Sequence, residues 1–407
     1  MTLWSLALSE PIIMNGAMVP SMLGVPMNRL RVVNGRGAAV PFQIDEITPG
    51  GEYICPSGEK PNRDSANGVL DKQDEIVFLW EDADSANARL PTAEHVPEVA
   101  GSRCGIAVSH GLVVRHLWIV DDSAVPLSPV RYIDYNDGNE LLQTPYYYAQ
   151  FAPARFHFTR AGIMDFVKGK YRDLTNELRV EIVLKTLFGI IPINYSEKSM
   201  VCTVIRYKAG PLRLIRRGDF YLKLGLWLKG NRAIVYQMCY PQAVKAPVEI
   251  HLPPGVGTIF STAYIEMTPV IRSGLTGFNC GIPGISRLFN LSSPVRLDTL
   301  IRLNPDAGYM VSGGREGYVW LSRMDIPDSL RAGSGYVVRR PSKRGGAAEC
   351  GVRFAVRDLP KGTYSIVNYV FFPRPLPISA AEGFRQLLDP ATLTIEGSNF
   401  LNLFAKY

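Results

Sequence analysis

The chain has 407 residues, 46% of them apolar and 20% charged, with a formal net charge of +7. That composition excludes a disordered chain, and the length allows two or three domains. No apolar run reaches the ~18 residues that a membrane-spanning helix needs. The 37 glycines and 30 prolines argue against long helices and for short strands joined by turns.

The opening stretch MTLWSLALSEPIIM lacks a basic start and a small-residue cleavage site, so no clear signal peptide is read there. Composition still favours a periplasmic or extracellular protein, with its leader upstream of this sequence. From Arg29 to Val33 a strand is expected, turning at Asn34-Gly35 and returning over Ala38 to Ile44, because Asn-Gly supplies the positive φ angles of a tight hairpin. A loop over 48–67 follows, and then a strand from Glu75 to Trp80. Between Asp45 and Asp84 stand eleven acids against three bases. Asp64, Asn67, Asp71 and Asp74 around the Asn67-Gly68 turn are the candidate oxygen ligands of a calcium ion. Arg63 and Ser65 occupy positions where an EF-hand needs acids, so the plain alternative is a solvated turn whose Asp and Asn bond their own backbone. The hairpin, loop and strand together resemble exported bacterial proteins in a general way, a resemblance that carries no activity with it.

Residues 85–100 are rich in Pro and Ala and read as a linker. The expected division is a small N-terminal β domain over 1–105 and a large antiparallel β-sandwich over 106–407. Asp134 to Glu140 reads first as a turn around Asp137-Gly138. The run TPYYYAQFAPARFHF gathers Tyr146, Tyr147, Tyr148, Arg155 and His157, either an aromatic core strand or part of a site. Alternation over 178–188 and again over 220–228 has period two, which no amphipathic helix shows. Residues 201–233 hold eight bases against one acid. Arg213, Lys223 and Lys229 beside Tyr221 and Trp227 on one sheet face would suit an acidic glycan, whose rings stack on aromatic faces and whose anions pair with bases. An ordinary solvated sheet face explains the same residues. No RNA-binding or helix-turn-helix signature accompanies the charge, which disfavours nucleic acid. A short helix is expected over Ser379 to Leu388, capped by Ser379 and stopped by Pro390.

The six cysteines form no CxxC pair, so zinc-ribbon, haem and thioredoxin chemistry are disfavoured and buried thiols are expected. No nucleophile elbow, phosphate loop or HExxH motif occurs. The fold class is therefore all-β, a small N-terminal β domain followed by a large antiparallel β-sandwich and one short C-terminal helix. Three functions remain open. The first is a non-catalytic extracytoplasmic protein that binds an acidic polysaccharide or a larger protein assembly. The second is a polysaccharide lyase or hydrolase, and the third a structural subunit of a complex. The ligand-binding candidates are Tyr147, His157, Lys223 and Trp227, and no catalytic residue is assigned.

Overall fold

A computed structural model describes residues 11–85, 101–110, 113–186, 192–196, 200–224, 228–229, 233–252, 254–272, 275, 277–282, 284–285, 288–293, 296–302, 308–313, 318–340, 347–372, 392–395 and 401–402. The fold is all-β, and its described α-helices are two four-residue turns, Val256–Ile259 and Asp328–Arg331. The helix expected over 379–388 lies outside the described residues, as does the linker expected over 85–100 apart from Ser85, which ends the strand Asp84–Ser85. No helix among the described residues is long and apolar enough to cross a membrane.

The chain forms two compact units. One comprises Met1–Asp134, Lys208–Leu214 and Ala381–Tyr407; the other comprises Tyr135–Tyr207 and Ile215–Ala380. The boundary expected at residue 105 falls inside the strand Arg103–His110. That strand pairs with Val113–Asp121, which in turn pairs with Leu30–Asn34, so the N-terminal unit must run on past 105. The expected return of the first hairpin also changes. Asn34 turns the chain, accepting the N–H groups of Arg36 and Ala38 on its side-chain oxygen. The returning chain meets the first strand only at the Val33–Ala39 bridge, and Phe42–Asp45 then pairs with Glu75–Leu79 in a separate three-stranded sheet. Ile76, Val77, Phe78 and Leu79 are all buried, which explains their continuous apolar run.

The second unit is an antiparallel sandwich of two ten-stranded sheets. Sheet A runs in spatial order Leu297–Ile301, Gly335–Arg340, Ala348–Ala355, Phe260–Ile271, Lys170–Thr186, Phe158–Asp165, Tyr147–Phe151, Leu141–Gln143 and Asp134–Asn136, with Pro192–Ser196 also paired to Lys170–Thr186. Sheet B centres on Ala233–Cys239, Ala243–Leu252, Gly362–Phe371, Tyr318–Asp325, Tyr309–Gly313 and Phe278–Gly281. Aromatic rings from both sheets form the core between them. Tyr147 of sheet A stacks on Phe372 at 4.3 Å, and Phe372 and Phe158 both lean on Trp320 of sheet B. Each such buried ring contributes roughly 2–3 kcal/mol by area alone. Tyr309–Gly313 pairs antiparallel with Tyr318–Asp325.

Candidate functional site

The acidic loop of the N-terminal unit is closed by its own hydrogen bonds. Asp74 is fully buried, and its two carboxylate oxygens accept the backbone N–H groups of Ile47 (2.7 Å) and Asp71 (2.6 Å). Burial raises its pKa most strongly, ahead of those two bonds, which lower it. Asn67 donates to Asp71 at 2.6 Å and takes the N–H of Val69 on its own oxygen, while Glu46 accepts the N–H groups of Asn67 and Gly68. Asp64 stands on the exposed turn Arg63–Ser65. Among the described residues no three His, Cys, Asp or Glu side chains converge as a metal ligand set.

The neighbouring Gln43-Ile44-Asp45 segment is a socket for the chain turn at 208–214. Alternation in the strand sends Gln43 and Asp45 to the same buried side. Gln43 accepts the N–H groups of Leu212 and Arg213 and donates to both oxygens of Asp45. Asp45 takes Arg213 Nε at 2.6 Å and Lys208 Nζ at 2.8 Å. Arg213 also reaches Glu75 and lies under the Tyr53 ring. Gly210 is required here, because a Cβ would stand 2.7 Å from Gln43 Nε2 and nearer still to its oxygen. Arg213 is therefore wholly buried, and its expected place on a glycan-facing surface is corrected: its charge is consumed by Asp45 and Glu75.

Among the described residues of the sandwich, two outside glycine have a left-handed backbone, Glu140 (φ 54°) and Ala154 (φ 52°), and both belong to one cluster. Glu140 accepts the Ala154 N–H at 3.0 Å, the Tyr135 hydroxyl at 2.6 Å and buried Arg216 at 2.9 Å. Arg216 lies against the Phe151 ring at 3.7 Å and also donates to Gln237 and to the Arg155 carbonyl. This cluster fixes the turn around Asp137-Gly138, and each of its charged groups is occupied in doing so.

The outer face of sheet A is different, because its charges are exposed. Tyr147 points into the core, so the period of the strand puts Tyr148 on the opposite face, where its neighbours still cover it to 7% exposure. Tyr148, Gly162 and Asp173 are register partners on three adjacent strands. A Cβ on residue 162 would stand 2.6 Å from Tyr148 Cε1 and closer still to the Arg172 carbonyl. Glycine there lets the tyrosine ring lie across the middle strand, where its hydroxyl donates to Asp173. Two guanidiniums share the same carboxylate: Arg160 at 2.8 Å, and Arg272, whose backbone is held by the Leu174 carbonyl. Both arginine side chains are about half exposed, at 56% and 49%, against 19% for Asp173. Tyr171 packs edge-on to Tyr148 at 5.4 Å. Burial works to raise the Asp173 pKa, but the Tyr148 hydroxyl and the two arginines outweigh it and hold it below its ordinary value. Burial, with Asp173 beside it, pushes the Tyr148 hydroxyl well up. The cluster therefore presents a fixed carboxylate, a neutral hydroxyl and two cations, with net charge +1 for Asp173, Arg160 and Arg272 together.

A second network lies farther across the same outer face. Buried Glu266 takes a forked contact from Arg339 and two bonds from Arg353, whose guanidinium covers the Tyr264 ring at 4.1 Å. Glu349 bridges Arg339 to Arg179, and Arg179 also holds Glu177.

Of the ligand-binding residues expected from sequence, Tyr147 is corrected. It is wholly buried, and its hydroxyl donates to the Tyr240 carbonyl at 3.0 Å. His157 is half-buried in the turn before Phe158–Asp165, its carbonyl accepting the Ala152 N–H. Lys223 lies in the strand Leu214–Leu224 opposite Lys229, with its side chain outside the described residues, as is all of Trp227. Sequence reasoning missed Arg160, Asp173 and Arg272. They stand 13 and 99 positions apart from their shared partner, and only strand pairing unites them.

No protein-family model matches the sequence, and no curated protein matches it. Among solved structures, the chain is similar to a glycosyl hydrolase family 38 protein from Enterococcus faecalis, at 7% identity and TM-score 0.46, over 96% of this chain and 46% of that one. It is similar to an alpha-N-acetylgalactosaminidase from Bifidobacterium bifidum, at 9% identity and TM-score 0.39, over 57% of this chain and 36% of that one. A galactose mutarotase-like protein from Clostridium acetobutylicum is matched at 9% identity and TM-score 0.36, over 59% of this chain and 97% of that one. This chain thus spans under half the length of the first two. Scores at this level bring no residue role, substrate or activity to it.

Proposed function

We propose that this protein binds an acidic glycan on the outer face of sheet A, with Arg160 and Arg272 as the anion-pairing groups and Tyr171 as an aromatic contact. The observation that carries the reading is the pair of half-exposed guanidiniums on one carboxylate. Asp173 satisfies part of each guanidinium and fixes its direction. Because each side chain is about half exposed, donors not spent on Asp173 are open to the carboxylate or sulfate of a sugar. An acidic carbohydrate fits better than a neutral one because the cluster carries net positive charge.

A lyase would need a base brought toward neutrality, and burial with Asp173 beside it moves Tyr148 the other way, which argues against that one residue as the base. An extracytoplasmic setting, where such glycans are met, belongs to the same proposal. Titration calorimetry with uronate and sulfated oligosaccharides tests it. Binding that weakens with added salt, and is lost in Arg160→Ala/Arg272→Ala with the melting temperature kept, is the expected result. Equal binding by the double variant would remove this face from consideration.

A further inference from the structure

Two buried cysteines from opposite sheets meet in the core of the sandwich. Cys350 follows Glu349 and precedes Gly351 in the strand Ala348–Ala355. Ala348, Val352 and Phe354 share its face and are all buried, while Glu349 and Arg353 point outward. Cys280 lies in Phe278–Gly281 of sheet B, two residues from Phe278 and so on the same face. Arg172 of sheet A lies over the Phe278 ring at 5.9 Å, so this face looks across at sheet A.

A second cross-sheet contact brackets the pair from the other side. Arg340 donates to the Asn290 carbonyl. Asn290 is the register partner of Asn279, next to Cys280, and Val338, two residues before Arg340, is the register partner of Cys350. Between these two contacts the thiols of Cys280 and Cys350 are within hydrogen-bonding reach of one another. Both are free thiols, 1% and 0% exposed.

We propose that Cys280 and Cys350 close an inter-sheet disulfide when the chain folds in the presence of a small-molecule disulfide oxidant. One thiolate attacks the oxidant, glutathione disulfide for example, and releases one reduced glutathione. The second thiolate then displaces the other glutathione from the mixed disulfide. The protein loses two protons and two electrons, and two glutathione thiols carry them away. The hydrogen bond with Cys280, and after it burial, raise the Cys350 thiol well above its ordinary pKa, so the finished core holds little thiolate. Exchange therefore belongs to folding, before the sheets close, and the folded reduced protein resists it. The cross-link would brace the two sheets over a chain segment running from 280 to 350.

The experiment is refolding of the full chain from denaturant in a reduced/oxidised glutathione buffer, followed by proteolysis without reductant and mass spectrometry. A linked pair of peptides carrying Cys280 and Cys350 is expected, with two fewer titratable thiols. The melting temperature should stand on the order of 5 °C above that of protein refolded in reductant. Natively folded protein in which Cys280 and Cys350 remain free, or pair with other cysteines, would overturn the proposal. Cys280→Ala and Cys350→Ala should each abolish the linked peptide. The wild-type map decides the matter even if either variant folds poorly, and it is independent of any glycan result.

Discussion

Asp45 and Asp173 are both aspartates held by two cations, yet they do different work. Asp45 is 1% exposed and its partner Arg213 is wholly buried, so the charge of that pair is spent inside the fold. Asp173 holds arginines that are about half in solvent. The closed cluster is a source of stability that pH should reveal. Burial favours protonation of Asp45, but Arg213 and Lys208 outweigh it and hold the pKa at about 2, below the ordinary 3.8. A depressed carboxylate stabilises the fold fully above its unfolded value and ceases to do so as pH falls through the folded one. Acid unfolding between about pH 4 and pH 2 should therefore lose about 2 kcal/mol that Asp45→Asn never had. A parallel acid limb in the variant would refute this assignment. At the open cluster, Tyr148→Phe removes one donor to Asp173 and leaves the core intact. Glycan affinity should fall roughly threefold to tenfold, the effect of a single hydrogen bond, with unchanged circular dichroism.

At the scale of elements, the register of three strands builds the open cluster, and Gly162 is its test. Gly162→Val places carbon against the Arg172 carbonyl and the Tyr148 ring, so stability should fall by about 1–3 kcal/mol. Retention of glycan should fall with it, more than in a control variant of equal stability. The acidic loop makes a separate prediction. Because Asp74 closes the turn through two backbone N–H groups, Asp74→Ala should cost about 3 kcal/mol. A calcium ion at Asp64, Asn67, Asp71 and Asp74 would show as a melting temperature lowered by chelator and restored by calcium, and no change would end that reading. Local signals were legible in the sequence wherever one strand was enough. The alternation near Leu178 and the strand at Glu75 both follow from periodicity and turn chemistry. The Tyr146–Tyr148 run also held a real clue, but period two divides it: Tyr147 enters the core between the sheets, and Tyr148 lies on the opposite face, covered by its neighbours. The choice between those faces depends on which strands lie alongside, and that pairing leaves no local trace.

For the whole molecule, the most conspicuous motif and the candidate site prove to be different things. The Gln43–Asp45 segment and the acidic loop, prominent in the sequence, are spent on holding the N-terminal unit together. The candidate site comes from Tyr148, Arg160, Asp173 and Arg272, scattered residues that a sandwich collects on one outer face. Within the basic stretch 201–233, Arg213 and Arg216 are wholly buried against acids, while the side chains of Lys223, Lys229 and Trp227 lie outside the described residues. The central claim is that the outer face of sheet A binds acidic glycan without cleaving it. Native electrophoresis through gels cast with acidic or neutral polysaccharide, stained afterwards for polymer loss, tests that claim most directly. The account predicts that acidic polymer slows the wild-type protein and leaves no cleared zone, and that Arg160→Ala/Arg272→Ala runs at its unretarded mobility. A cleared zone, or equal mobility of the wild-type protein with and without polymer, would contradict it.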